Sequence, residues 1–107
     1  MMLFGGNLMA DMTKVSPSIC AYPDEKYENL EIEVILPGVE KKDITFKITE
    51  DGFYVRATKE GVEYVDSYAI CCPVVPEKAT AKYSNGILKV TVPYQQPFEN
   101  AIDVKIE

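Results

Sequence analysis

The sequence predicts an all-β domain, an antiparallel sandwich of seven to eight short strands, and three observations carry that prediction. Asn85-Gly86 stands between two alternating segments, and Asn-Gly is the strongest short-range hairpin signal because a type I′ turn needs positive φ at both central residues. Short runs with a two-residue apolar period recur along the chain, separated by Pro37-Gly38, Asp51-Gly52 and Glu60-Gly61. No stretch carries the 3.6-residue period of an amphipathic helix.

In chain order, residues 1–16 read as a short flexible arm. It holds Leu3, Phe4, Leu8 and Met9, side-chain types that adapt to irregular apolar surfaces. Ser16-Pro17-Ser18 breaks the chain, and Ile19-Cys20-Ala21-Tyr22 is a short strand stopped by Pro23-Asp24. Leu30, Ile32, Val34 and Leu36 then alternate with Glu31, Glu33 and Ile35, a half-buried strand with an acidic outer face. Beyond Pro37-Gly38, Ile44, Phe46 and Ile48 alternate with Thr45, Lys47 and Thr49. Across Asp51-Gly52, Phe53, Val55 and Ala57 alternate with Tyr54, Arg56 and Thr58. The next strand runs from about Val62 or Tyr64 to Cys72 and stops at Pro73. Tyr64, Tyr68, Ile70 and Cys72 share one of its faces, and Val65, Ala69 and Cys71 the other. Both faces are apolar enough to imply a contact beyond the strand's own core. In the last hairpin Ala79, Ala81 and Tyr83 alternate with Lys78, Thr80 and Lys82, and Leu88, Val90 and Val92 with Lys89 and Thr91. Pro93 lacks a backbone donor and closes it.

At 107 residues, 47% of them hydrophobic, the chain is one domain with enough apolar material for a core. A net charge of −6 and a single arginine, Arg56, argue against nucleic acid, an anionic membrane or a nucleotide as partner. No apolar run reaches the length of a membrane span, and residues 1–6 lack the cationic start of a secretory signal, so the expected location is the cytoplasm.

The three cysteines, Cys20, Cys71 and Cys72, have no C-x-x-C spacing, and the chain has no histidine. They are expected to be reduced, packed thiols, with no metal and no other cofactor. Neighbours on a strand point to opposite faces, which makes joint chelation by Cys71 and Cys72 awkward. No tryptophan is present to pack against a disulfide of the immunoglobulin kind. Without a histidine base, a G-x-S-x-G turn or a phosphate-cradling glycine loop, the chain is not expected to be an enzyme. Glu31, Glu33, Glu50, Asp51, Glu60, Glu63 and Asp66 fall on outer faces or turns and read as solvated charge.

Two segments resemble the α-crystallin domain of the small heat-shock proteins. Leu36-Pro37-Gly38-Val39 with Lys42-Asp43-Ile44 is similar to that family's L-P-G-V…(D/E)-I segment. Ala81-x-Tyr83-x-Asn85-Gly86-Ile87-Leu88…Val92-Pro93 is similar to its A-x-(F/Y)-x-N-G-V-L…(L/V)-P signature. The resemblance covers about residues 17–107. It implies an immunoglobulin-like sandwich over residues 17–93, followed by a C-terminal extension over residues 94–107. Val104-Lys105-Ile106 resembles the family's (I/V)-x-(I/V) motif, so Val104 and Ile106 are the implied assembly residues. Alternate side chains of an extended peptide share a face, and its backbone can add to a sheet edge. The implied groove lies between Ile44, Phe46 and Ile48 on one strand and Ala79, Ala81 and Tyr83 on another, in a neighbouring subunit.

The chain departs from the family pattern in two places. Residues 59–63 leave space for little more than a tight turn, where relatives insert a strand exchanged between subunits. Tyr68 stands where an arginine is usual. Both features serve the usual dimer, so Tyr64, Tyr68 and Ile70 become the candidate strand for an edge-to-edge homodimer, within a possible larger oligomer. The implied function is an ATP-independent holdase that covers the apolar surface of partly unfolded proteins, with Leu3, Phe4, Leu8 and Met9 as candidate client contacts. The alternative is a co-chaperone or adaptor of the same sandwich shape, like those of the ninety-kilodalton heat-shock protein, which bind one defined partner.

Overall fold

The computed structural model describes residues 12–96 and 101–107. Leu3, Phe4, Leu8 and Met9 lie outside the described residues. Among the described residues the strands are β1 (Thr13–Val15), β2 (Ser18–Pro23), β3 (Asn29–Ile35), β4 (Ile44–Ile48), β5 (Gly52–Lys59), β6 (Val62–Ala69), β7 (Thr80–Ser84) and β8 (Ile87–Pro93). They form two four-stranded sheets, ordered β1-β6-β5-β4 and β2-β3-β8-β7. The pairings are antiparallel except β1 with β6, which is parallel and sets Thr13 opposite Val62 and Val15 opposite Tyr64.

The alternation in the sequence becomes the division between core and surface. Leu30, Ile32 and Val34 of β3, Phe53, Val55 and Ala57 of β5, and Leu88, Val90 and Val92 of β8 are buried between the sheets, joined by Leu36, Val39 and Val74. Each buried valine, leucine, isoleucine or phenylalanine side chain contributes roughly 1.5–3 kcal/mol. The Asn85-Gly86 turn has φ of 53° and 79°, positive at both residues as a primed hairpin turn requires.

Several expectations are corrected. Thr13–Val15, placed in the flexible arm, is a strand that pairs with β6. β6 ends at Ala69 rather than at Cys72: Ile70 donates its N–H to the Asp51 carbonyl and Val74 to that of Glu50, which turns the chain out of the ladder. Cys71 and Cys72 therefore do not sit on opposite faces of a strand, and all three thiols are exposed rather than packed. Glu63, expected among the solvated carboxylates, is buried, with the Arg56 Nε 2.6 Å from its Oε2. The body runs slightly past Pro93: Tyr94 bridges to Val74 and the Gln95 N–H bonds the Pro73 carbonyl.

Candidate functional site

β4 and β7 each close one end of their sheet, so among the described residues each presents an unpaired backbone edge. Between them the sandwich stays open. Ile44 and Phe46 of β4 and Ala81 and Tyr83 of β7 line a hollow of about 210 Å³ over the buried Leu88, with the exposed Lys41 and Lys82 beside it. Four of the six groove residues named from the sequence meet here. The other two, Ile48 and Ala79, are half-buried against the core and do not line it.

The β7 wall is braced by the same two segments that stood out in the sequence. The Tyr83 hydroxyl lies 2.7 Å from both the Leu36 and the Val39 carbonyl oxygens and donates its single proton to one at a time. Leu36 donates its N–H to the Gly86 carbonyl at 2.7 Å. A Cβ at Gly86 would meet the Pro37 Cα at 3.4 Å, in a backbone that L side chains rarely adopt. The Leu36–Val39 turn and the Asn85-Gly86 hairpin are thus one packed unit, which explains why each needs its own residue types. On the opposite wall, Phe46 stacks on Phe53 at 5.5 Å, and Phe53 on Tyr68 at 5.7 Å, an aromatic row that crosses the sheet from the groove to β6.

Residues 101–107 are exposed and outside any strand, with Val104 81% and Ile106 92% exposed. Ile102, at 86%, was missed in the sequence although the same alternation carries it: Ile102, Val104 and Ile106 fall on one side of an extended chain, Asp103 and Lys105 on the other.

The residues named for edge pairing do not form one apolar face. Tyr64 is half-buried, with the Lys59 ammonium 5.4 Å from its ring centre; Tyr68 is stacked on Phe53; Ile70 lies past the end of β6 and packs on the core. β1 occupies the outer edge of β6 along Val62 to Tyr64, so among the described residues the open edge is residues 65–69. Behind it, the hydrogen bond to Glu63 followed by that residue's charge holds the Arg56 guanidinium above its ordinary pKa. Among the described residues no three histidine, cysteine or acidic side chains converge on a metal site.

Comparison with known proteins adds to this geometry. Residues 24–93 match the family model of the CS domain. A relative described as a probable 15 kDa heat shock protein of Leptospira interrogans is 26% identical over 107 residues, covering 87% of this chain and 81% of its own. The structure is similar to heat shock protein 16.0 from Schizosaccharomyces pombe, with a TM-score of 0.70 at 19% identity over 95% of this chain and 91% of that one. It is also similar to a small heat-shock protein from Xylella fastidiosa, with a TM-score of 0.67 at 13% identity over 89% of this chain and 97% of that one. At these identities the two solved structures speak for the fold.

Proposed function

The chain belongs to the CS-domain family, and from that fold with its open β4–β7 groove we propose that it is an ATP-independent chaperone of the small heat-shock type, holding partly unfolded proteins and preventing their aggregation. One observation carries this reading. The same chain exposes an apolar slot and an apolar segment of matching character, Ile102, Val104 and Ile106. Seated in the groove of a second subunit, the segment would fill it with alternate side chains and extend a sheet edge. The charges agree: Lys41 and Lys82 border the slot, and Asp103 and Glu107 flank the motif. Subunits also pair along the free edge of β6 at residues 65–69. When tails leave their slots, the uncovered apolar surface, with Leu3, Phe4, Leu8 and Met9, receives the client. No nucleotide is required, because nothing is driven uphill.

Light scattering of a heat-aggregating client tests this. Protection at equimolar subunits is expected, and its absence would overturn the holdase reading. A second reading has its own support: the CS-domain match and the tight β5–β6 turn at Gly61 fit a co-chaperone that binds one defined protein. A monomer whose size is unaffected by deletion of residues 104–107 would favour it.

A further inference from the structure

We propose that Cys71 and Cys72 form a vicinal dithiol that an organic hydroperoxide closes to an intrachain disulfide. The two Sγ atoms lie 2.8 Å apart, and both side chains are exposed to solvent. The bend that carries them is braced at both ends. Ile70 donates its N–H to Asp51 at 2.8 Å, Val74 to Glu50 at 3.0 Å, and Gln95 reaches back to the Pro73 carbonyl at 2.9 Å. The sulfurs thus meet on a fixed backbone.

Beside them opens an apolar hollow of about 340 Å³, lined by Pro23, Tyr27, Pro73 and Tyr94 along with the two cysteines. Tyr27 is held there in the left-handed region, at φ 57°, with its N–H bonded to the Asp24 carbonyl. Gln95 completes the lining, and among the described residues no charged side chain lines this hollow. It therefore suits the alkyl or aryl body of an organic hydroperoxide, whose reactive oxygen then lies toward the thiols. Hydrogen peroxide has no body to seat.

The chemistry balances without a further reagent. One thiol donates its proton to the other sulfur, and the hydrogen bond to Cys71, then desolvation, then the charge of Cys71 push the Cys72 thiol up. One of the two, as its thiolate, attacks the terminal oxygen of the hydroperoxide; an S–O bond forms, the O–O bond breaks, and the alkoxide takes a proton to leave as alcohol. The other thiol then loses its proton and attacks the sulfenic sulfur; the S–S bond forms, the S–O bond breaks, and hydroxide leaves as water. Two thiols and one hydroperoxide give one disulfide, one alcohol and one water. This site does not depend on the chaperone reading.

The test uses the full-length protein, treated with cumene hydroperoxide or hydrogen peroxide at equal concentration, quenched with N-ethylmaleimide and read by intact mass. Alkylatable thiols should fall from three to one, Cys20 remaining, in a subunit that stays unlinked on a non-reducing gel and regains its thiols in dithiothreitol. Cys71→Ser and Cys72→Ser should each abolish this loss. Cumene hydroperoxide should react about tenfold faster, the factor that roughly two buried CH2 groups supply. Tyr27→Asn, which keeps a residue at ease in the left-handed backbone, should remove that preference and leave disulfide formation intact. Disulfide-linked subunits, consumption of Cys20, or oxygen addition without a disulfide would overturn the dithiol. Equal rates for the two peroxides would overturn the apolar seat.

Discussion

Replacing both Val104 and Ile106 by glycine should dissolve any assembly larger than the subunit pair. The two side chains are 81% and 92% exposed, so almost all of their area is available for burial in a partner's groove. Full burial of a valine or isoleucine contributes about 1.5–3 kcal/mol, and the pair therefore about 3–6 kcal/mol of gross contact. At tenfold per 1.4 kcal/mol, each tail–groove contact should weaken by roughly a hundredfold to ten-thousandfold. Glycine also frees the backbone, which adds to the loss. Native mass spectrometry at micromolar subunits reads the outcome directly: the wild type should show assemblies and the double variant pairs or single subunits. Lys105→Ala is the control, because position 105 faces away from the other two in an extended chain. An unchanged distribution in the double variant, or single subunits in the wild type, would refute the reasoning.

Three further outcomes concern the frame around the groove. Tyr83→Phe withdraws the hydroxyl from the Leu36 and Val39 carbonyls and should cost about 1–3 kcal/mol, lowering the thermal midpoint by roughly 4–8 °C for each kcal/mol; an unmoved midpoint by circular dichroism would contradict the bracing role. Gly86→Ala should cost about 1–2 kcal/mol by forcing a Cβ into a left-handed backbone against Pro37, read as a lower urea midpoint at unchanged slope. Asp24 is held below its ordinary value of 3.8, first by the Asn29 amide and, against a smaller opposing effect of burial, by backbone N–H groups. The folded chain keeps it ionised where the unfolded chain binds a proton, so its contribution is present above 3.8 and is lost as pH falls through the lowered folded value. Asn29→Ala should shrink that acid-side loss in a series of thermal midpoints, and an identical profile would remove the hydrogen bond from the account.

How much was legible in the sequence follows from where each residue's partner lies. β3, β5 and β8 could be read because their alternate side chains face a core on one side and water on the other, and that contrast is written locally. Glu63 could not: its neighbours give no reason to bury it, and the reason is an arginine that only the β5–β6 register brings alongside. β1 is three residues long and pairs in parallel with a strand nearly fifty positions later, so nothing local announces it. The cysteine pair was misplaced for a related cause. Alternation through Cys72 assumed the ladder continued, whereas the bonds to Glu50 and Asp51 draw the chain away after Ala69.

The groove was half legible for the same reason, and this bears on function. Ile44, Phe46 and Tyr83 show the period of core residues, and in a core they would be covered; here they are only half-buried, because the strands that bear them are the last in their sheets. Their pattern states that they face inward, without stating what completes the inside. A lone domain gains nothing from an apolar segment exposed at three alternate residues and an apolar seam left open between two strand edges. On the proposed reading the two deficits would cancel when one subunit's tail enters another's seam. Lysines on the rim then serve twice, guarding the edge against indiscriminate pairing and attracting a tail of opposite charge. On the proposed reading, stable cover under ordinary conditions and exposed apolar surface under stress would draw on one contact, whose strength would set how readily the slot is vacated for a client.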